Sequence, residues 1–156
     1  MTRRLTQSDY RALAELRHQV RRFIHFSEQA ARNSGLEPRQ HQLMLALKGL
    51  PTDVRPTIGE LAKRMQIQHH SAVELVNRLA SGGFVRRRRG DSDRREVFLC
   101  LTSKGDRVLR DLSLHHQSEL RTQGPELLAT LKLVIQPEKR FPRKGRTSSS
   151  SNSRTQ

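Results

Sequence analysis

Cysteine, tryptophan and long apolar runs are nearly absent from this sequence. Its 156 residues include one cysteine and no tryptophan. A single cysteine cannot form an internal disulfide, so nothing indicates the disulfide framework of a secreted protein. No apolar run approaches the roughly 20 residues that a membrane-spanning helix needs, and the N-terminus lacks the apolar stretch of a signal peptide. We therefore expect a cytoplasmic protein with no membrane partner.

Acidic residues are also scarce relative to basic ones. Thirty Lys and Arg stand against fifteen Asp and Glu, which gives a formal net charge of +15, and only 33% of the chain is hydrophobic. Such an excess of positive charge favours a polyanionic partner, either a nucleic acid or an anionic membrane surface. A soluble or ribosome-associated basic protein is the alternative that charge alone allows. The length suffices for one domain with a core but is short for two.

Motifs of catalysis and metal binding are missing as well. The sequence has no glycine-rich phosphate loop, no nucleophile elbow and no carboxylate pair whose approach can be inferred from spacing. Its seven histidines form no H-E-x-x-H pattern, and C-x-x-C is absent. We therefore expect no enzyme, no catalytic residue, no cofactor and no metal site.

Two short amphipathic helices are predicted in the middle of the chain. Thr57 is a suitable N-cap for the first, whose apolar residues recur at helical spacing. The second is expected over residues 70–81, where Gly82 and Gly83 stop it. Two such helices joined by a short turn form a helix-turn-helix, whose second helix fits a DNA major groove.

An arginine-rich hairpin is predicted directly after these helices. The four arginines at 86–89 lead into the turn-forming residues Gly, Asp, Ser and Asp at 90–93. A return strand over 95–101 follows, with apolar residues alternating along it. A helix-turn-helix followed by such a hairpin is a winged helix.

These residues resemble the MarR family of bacterial transcription regulators. The match consists of R-L-x-x-x-G-x-V-x-R at 78–87, D-R-R at 93–95 and L-T-x-x-G at 101–105. The flanking helices match more loosely, and the segment after residue 136 does not match. The resemblance implies a winged-helix protein in which the first helix and the last two pack against their twofold mates to make a dimer.

The expected fold class is mainly α: a winged helix-turn-helix domain with a two-stranded wing, flanked by N- and C-terminal dimerisation helices. One domain is expected over 1–136, with the DNA-reading unit at 57–102 and the dimerisation helices at 6–35 and 102–136. Gly124 is expected to interrupt the helix after the wing, and Pro125 to begin a shorter one. The basic, Ser-rich segment 137–156 is expected to be disordered.

Short polar groups near the N-terminal end of the second helix are predicted to reach base edges. His70 and Ser71 can donate or accept hydrogen bonds, and Val73 can pack on a thymine methyl group. Asn77 can pair with an adenine. The alternative for this face is an ordinary solvated surface.

Two charged residues complete the predicted DNA-facing surface of this helix. Glu74 has two explanations that the residues leave open: it accepts a hydrogen bond from a cytosine amino group, or it neutralises Arg78. For Arg78 itself, the family resemblance implies a phosphate contact or a structural contact.

The wing is predicted to supply the remaining DNA contacts. Arg94 and Arg95 are expected at a tight turn, from which an extended arginine can enter the minor groove. Asp93 is better explained as an orienting partner of a nearby arginine than as a base contact. Because side chains alternate along a strand, two of the four arginines at 86–89 should face the DNA backbone, and we assign this role to Arg86 and Arg88.

Two histidines mark the place where the sequence predicts a small-molecule site. His25 and His41 belong to the first two helices, which in the resembled family border a small-molecule pocket. A polar residue among apolar ones can orient an anionic or phenolic ligand, although ordinary helix histidines are the alternative. Cys100 is placed on a wing strand, away from the first helix, where thiol-sensing relatives carry their reactive cysteine. A redox switch is therefore not expected.

Together these features predict a homodimeric regulator that binds double-stranded DNA at a pseudopalindromic site. We expect a transcriptional repressor that a small, anionic aromatic ligand releases. One alternative is a basic nucleoid-associated or RNA-binding module, and another is a winged-helix adaptor for protein contacts. Against RNA, the chain has one Tyr, five Phe and no Trp, with none clustered on a strand as base stacking requires. The arginines of the wing argue against the adaptor.

Overall fold

The computed structural model describes residues 4–90 and 96–136. Within these ranges the elements follow one another as α1 Gln7–Asn33, α2 Pro38–Lys48, α3 Ile58–Met65, α4 His69–Ser81, β1 Val85–Arg89, β2 Val97–Leu101 and α5 Ser103–Ile135. The prediction of a mainly helical fold with a two-stranded wing is confirmed. The basic segment 137–156 lies outside the described residues. None of the described helices is long and apolar enough to cross a membrane.

Threonine side chains cap three of the described helices, among them α3, for which Thr57 was the predicted N-cap. The Thr6 hydroxyl accepts a hydrogen bond from the Asp9 backbone, and the Asp9 carboxylate accepts one from the Thr6 backbone, which together form a capping box. The Thr57 hydroxyl accepts from the Glu60 backbone and caps α3, and the Thr102 hydroxyl accepts from the Gly105 backbone and caps α5. Pro38 occupies the first turn of α2, where its missing N–H has no helical partner to lose.

The turn between α3 and α4 depends on a left-handed residue. Gln66 has a φ of 54°, a conformation that costs a non-glycine residue about 1–2 kcal/mol. The N–H of the next residue, Ile67, donates to the Ala62 carbonyl at 3.0 Å. This bond closes the end of α3 and directs the chain into α4, so that the two helices form the predicted helix-turn-helix.

The helix after the wing departs from the prediction. Gly124 and Pro125 do not divide it, and α5 is continuous over Ser103–Ile135. An internal proline removes one hydrogen bond and crowds a carbonyl of the preceding turn, at a cost of about 3 kcal/mol. Extensive packing of α5 along α1, which continues beyond the proline at the buried Gln19–Thr130 hydrogen bond of 3.2 Å, outweighs that local cost.

The core lies where α2, α4, the wing and the first half of α5 meet. Its largest fully buried side chains are Leu36, Leu43, Met44, Leu61, Val76, Leu79, Leu99 and Leu112. Burying one such side chain contributes about 1.5–3 kcal/mol. Because α4 supplies part of this core, its inner face is fixed against the body of the protein and its outer face is left for a partner.

Apolar side chains of α1 and α5 remain uncovered in the single chain. On α1, Leu13, Val20 and Ile24 are 40–45% exposed. The corresponding residues of α5 are Leu114, Leu120, Leu128, Leu131, Leu133 and Ile135. Large exposed apolar surfaces on a folded chain indicate contact with another molecule.

Candidate nucleic-acid interface

The outer face of α4 carries the side chains that were predicted to contact bases. His70, Glu74 and Asn77 are exposed, and their spacing of four and three residues places them along one side of the helix. The opposite side is buried and consists of Ala72, Leu75, Val76 and Leu79. Helix α4 is therefore an amphipathic helix with one side packed against the core and a polar side exposed.

Three further predicted contact residues flank that polar side. Ser71 and Val73 are half-buried, whereas Arg78 is exposed. Among the described side chains no ion pair joins Glu74 to Arg78, although both are exposed and one turn apart. Both explanations of Glu74, a hydrogen bond from a cytosine amino group and neutralisation of Arg78, stay predictions.

Asn77 is tied to the wing by an arginine that was not assigned from the sequence. Nη2 of Arg87 donates to Oδ1 of Asn77 at 2.6 Å. Arg87 pairs with Leu99 across the hairpin, and directly opposite residues share one face of a sheet. Since Leu99 is buried against the core, Arg87 lies on the side of the wing that faces α4.

The alternation in β1 therefore separates two pairs of arginines. Arg86 and Arg88, which were predicted to face the DNA backbone, pair with Cys100 and Phe98 and lie on the other face of the hairpin from Arg87. All four arginines of β1 are exposed. The side chain of Val85 at the start of the strand is buried. Because residues two apart share a face, this apolar residue could have indicated that Arg87 lies on the core side of the hairpin.

The tip of the wing, with the predicted contact residues Asp93, Arg94 and Arg95, lies outside the described residues. Its base is described: β1 and β2 pair antiparallel, and the Gly90 N–H donates to the Glu96 carbonyl at 2.9 Å. The two strands of the wing are thus hydrogen-bonded to each other as far as Gly90 and Glu96, the residues that flank the tip.

The C-terminal end of α4 is fastened to the first turn of α5. The Thr102 hydroxyl donates to the Gly83 carbonyl at 2.6 Å, and Nζ of Lys104 donates to the Gly82 carbonyl at 2.7 Å. The same ammonium group lies 4.3 Å from the centre of the Phe84 ring, within the range of a cation–π contact. These contacts join the start of α5 to the residues that end α4.

A glycine allows this junction to close. A Cβ atom at Gly105 would lie 2.0 Å from the Phe84 carbonyl oxygen, far inside any acceptable contact. Because glycine has no side chain, the backbone of α5 can approach the Phe84 backbone, which lies between α4 and β1. The L-T-x-x-G motif of the sequence therefore has a structural explanation: its threonine caps α5 and its glycine permits the contact.

The two histidines predicted to bind a ligand lie in different surroundings. His41 is buried, and its ring centre is 4.9 Å from that of His116 on α5. Nε2 of each ring has no hydrogen-bond partner among the described residues. Burial and the proximity of His116 lower the pKa of His41 to about 4. Phe23 and Phe26 of α1 meet the His116 ring edge-on.

His25 is exposed and lines an open cleft of about 530 Å³ on α1. The other lining residues are His18, Arg21, Arg22, Phe26, Gln29 and Gln123. Phe26 therefore borders this basic cleft and also contacts His116. Across the described ranges, no group of three or more His, Cys, Asp and Glu side chains is placed to hold a metal ion.

Comparison with known proteins gives a consistent result. Residues 34–96 match the model of the MarR family. The structure of AbsC, a MarR family transcriptional regulator from Streptomyces coelicolor, is similar with a TM-score of 0.65 at 25% identity, over 87% of this chain and 95% of that one. None of the curated protein sequences matches this chain.

A second similar structure was solved with DNA. The transcriptional repressor CouR, bound to a 23-mer DNA duplex, has a TM-score of 0.58 at 26% identity, over 78% of this chain and 89% of that one. CouR from Rhodococcus jostii RHA1 was also solved with p-coumaroyl-CoA, and that structure has a TM-score of 0.58 at 21% identity, over 78% and 90%.

Proposed function

Because this chain belongs to the MarR family of winged helix-turn-helix regulators, we propose that it regulates transcription by binding specific sites in double-stranded DNA. The observation that carries this proposal is the polar side of α4, where His70, Glu74 and Asn77 stand exposed beside the arginines of β1. Polar side chains of this kind recognise base edges in the major groove, and arginines neutralise the neighbouring phosphates.

The contact between Arg87 and Asn77 supports a specific way of recognising a base. An asparagine side chain reads adenine by accepting from N6 and donating to N7. Arg87 occupies one lone pair of Oδ1 and leaves the second lone pair and the Nδ2 amide hydrogens available. It thereby fixes the orientation of the amide before DNA arrives. In this proposal Asn77 reads the base and Arg87 positions Asn77.

A homodimer is the second part of the proposal. The exposed apolar faces of α1 and α5 support it, since a second copy would bury the side chains that one chain leaves in water. Twofold symmetry would place two copies of α4 about 34 Å apart, one turn of DNA. The preferred site would then be pseudopalindromic, and a protein seated there would repress transcription by blocking access to the promoter.

Release by a small anionic aromatic ligand is the third part. The basic cleft at His25 would attract the anion, and displacement of Phe26 would expose the unpartnered Nε2 atoms of His41 and His116. These histidines belong to α2 and α5, so a ligand between them would change the angle at which α5 holds the end of α4. A coupling free energy of about 1–3 kcal/mol would weaken DNA binding roughly 5- to 150-fold.

Selection of duplexes from a random pool tests the proposed function. The purified full chain should enrich one motif with inverted repeats, and anisotropy titrations of that duplex should show affinity that falls steeply with salt. A scrambled duplex of the same composition is the control for nonspecific attraction. Equal affinity for both duplexes, or stronger binding to single-stranded RNA, would contradict sequence-specific recognition of DNA.

A further inference from the structure

A second cavity, distinct from the cleft at His25, lies behind the wing. It has a volume of about 790 Å³ and is walled by the C-terminal end of α2, the segment 50–56, strand β2 and the first turns of α5. We call it the β2–α5 groove. Sites for small molecules have volumes of roughly 300–1,000 Å³, and none of the residues assigned above to DNA or to the histidine cleft lines this groove.

One side of the β2–α5 groove is strongly basic. Its lining contains Lys48, Arg107 and Arg110 against a single carboxylate, Asp106. Nζ of Lys48 lies 2.5 Å from Oδ1 of Asp106, and this hydrogen bond is the main reason that the pKa of Asp106 is lowered. Arg110 also lies 3.8 Å from Asp111, an acid outside the groove. The lining itself therefore keeps a surplus of two positive charges.

The other side of the groove is apolar. Leu47 and Leu99 are buried there, and Leu50, Val54 and Leu101 are half-buried with surface left towards the groove. Strand β2 is held to this wall because the Leu99 N–H donates to the Pro56 carbonyl at 2.8 Å. An occupant that suits both sides must carry a negative charge at one end and an apolar body at the other.

We propose that the β2–α5 groove binds a small amphipathic anion, such as an aromatic carboxylate, with its charged end at Arg107 and Arg110 and its ring against Leu50 and Val54. Hydrogen bonds between guanidinium and carboxylate groups are among the strong ones in proteins. The carboxylate also competes with Asp106 for Lys48, so binding loosens the contact between α2 and α5. Any resulting change in DNA affinity rests on the proposed function.

The chain carries its own reporter of occupancy. Cys100 lines the groove and is the one cysteine of the sequence, so alkylation by iodoacetamide followed by intact-mass measurement reads this position alone. 2-Naphthoate serves as the probe, and its neutral methyl ester controls for apolar contact without charge. We expect 2-naphthoate to slow alkylation of Cys100 in a saturable manner and the ester to have little effect.

Two matched double variants locate the charged end of the probe. Replacing Arg107→Gln and Arg110→Gln together should raise the half-protecting concentration of 2-naphthoate by about tenfold or more, the effect expected for loss of charge-assisted hydrogen bonds. The control pair Arg11→Gln and Arg17→Gln removes the same charge from exposed positions on α1. It should leave the half-protecting concentration within about twofold, since distant surface charges are screened.

Several results would overturn the proposal: no protection up to the solubility limit, equal protection by the ester, unchanged protection in the Arg107/Arg110 variant, or a thiol that is already unreactive in the free protein. DNA anisotropy of the same preparations separates this inference from the proposed function. If the protein binds its selected duplex but 2-naphthoate does not protect Cys100, ligand binding in the β2–α5 groove is refuted and the proposed function stands. If 2-naphthoate protects Cys100 but the protein does not bind DNA, the proposed function is refuted and ligand binding in the groove stands.

Discussion

At the scale of single residues, the pairing of Asn77 with Arg87 is where sequence recognition can be separated from charge attraction. Asn77→Ala should reduce discrimination at one base pair of each half-site by about 1–3 kcal/mol. Arg87→Ala should reduce discrimination at that same base pair, because the amide loses the partner that orients it. Anisotropy titrations with single-base-pair variants of the selected duplex measure both effects.

Arg86→Ala is the matched control for this experiment, since Arg86 lies on the opposite face of β1. It should weaken binding to all duplexes alike. The slope of log affinity against log salt concentration should fall by about one, the value for one lost phosphate contact. If the Asn77 and Arg87 variants lost discrimination independently, so that their free-energy changes simply added, the two side chains would not act as a unit.

The buried histidine pair predicts a loss of stability in acid. The pKa of His41 is lowered from 6.5 to about 4 by burial and by His116, so the unfolded chain binds this proton more readily than the folded one. The resulting contribution to stability is complete above pH 6.5 and is lost as the pH falls towards 4. Linkage gives a maximum of about 3 kcal/mol for such a shift.

Urea unfolding at pH 7.5 and at pH 5 measures this contribution. His41→Gln, which cannot be protonated, should show a smaller loss of unfolding free energy between the two pH values than the wild type. His18→Gln, at an exposed position of α1, should retain the wild-type difference. Identical pH dependence in all three proteins would place the acid sensitivity elsewhere in the chain.

At the scale of elements, the junction between α4 and α5 depends on the absence of a side chain. Gly105→Ala would place a Cβ atom 2.0 Å from the Phe84 carbonyl oxygen, so either α5 or the segment between α4 and β1 would have to move. Overpacking of this kind costs about 1–3 kcal/mol. We expect a loss of this size in urea unfolding, together with weaker DNA binding because the end of α4 is displaced.

Gly124→Ala, in the same helix, is the control. A Cβ atom there would meet nothing within 4 Å, and alanine favours a helix over glycine by about 1 kcal/mol. The substitution should therefore be neutral or stabilising. A clear destabilisation by Gly124→Ala would argue against a continuous α5 and in favour of the break that the sequence suggested.

At the scale of the whole molecule, the uncovered faces of α1 and α5 predict a dimer. Val20→Glu would place a carboxylate in the exposed apolar face of α1 and should give a monomer in size exclusion with light scattering. Leu45→Glu alters an equally exposed leucine on α2 and should leave the dimer intact. The monomeric variant should bind a half-site weakly and lose the preference for inverted repeats. A monomeric wild type would refute the twofold arrangement.

The sequence by itself determined the elements whose causes are local. Thr57 and Thr102 begin helices because each side chain satisfies a backbone N–H three residues later. For α1 the sequence allowed Ser8 or Thr6 as the cap, and the structure has Thr6. The return strand that alternation predicted over 95–101 is observed at Val97–Leu101 within the described residues, and Gly82 and Gly83 marked the end of α4. Each of these signals acts over a few residues, so periodicity, capping and glycine were sufficient to predict the winged-helix fold.

Only the tertiary structure decided the features that join distant parts of the chain. The continuity of α5 through Pro125 depends on packing against α1, which no local pattern reports. Arg87 reaches Asn77 because the hairpin folds back over α4, and His41 meets His116 because α2 packs on α5. Contacts of this kind depend on where separate elements are brought together, and propensities within a single element contain no information about that.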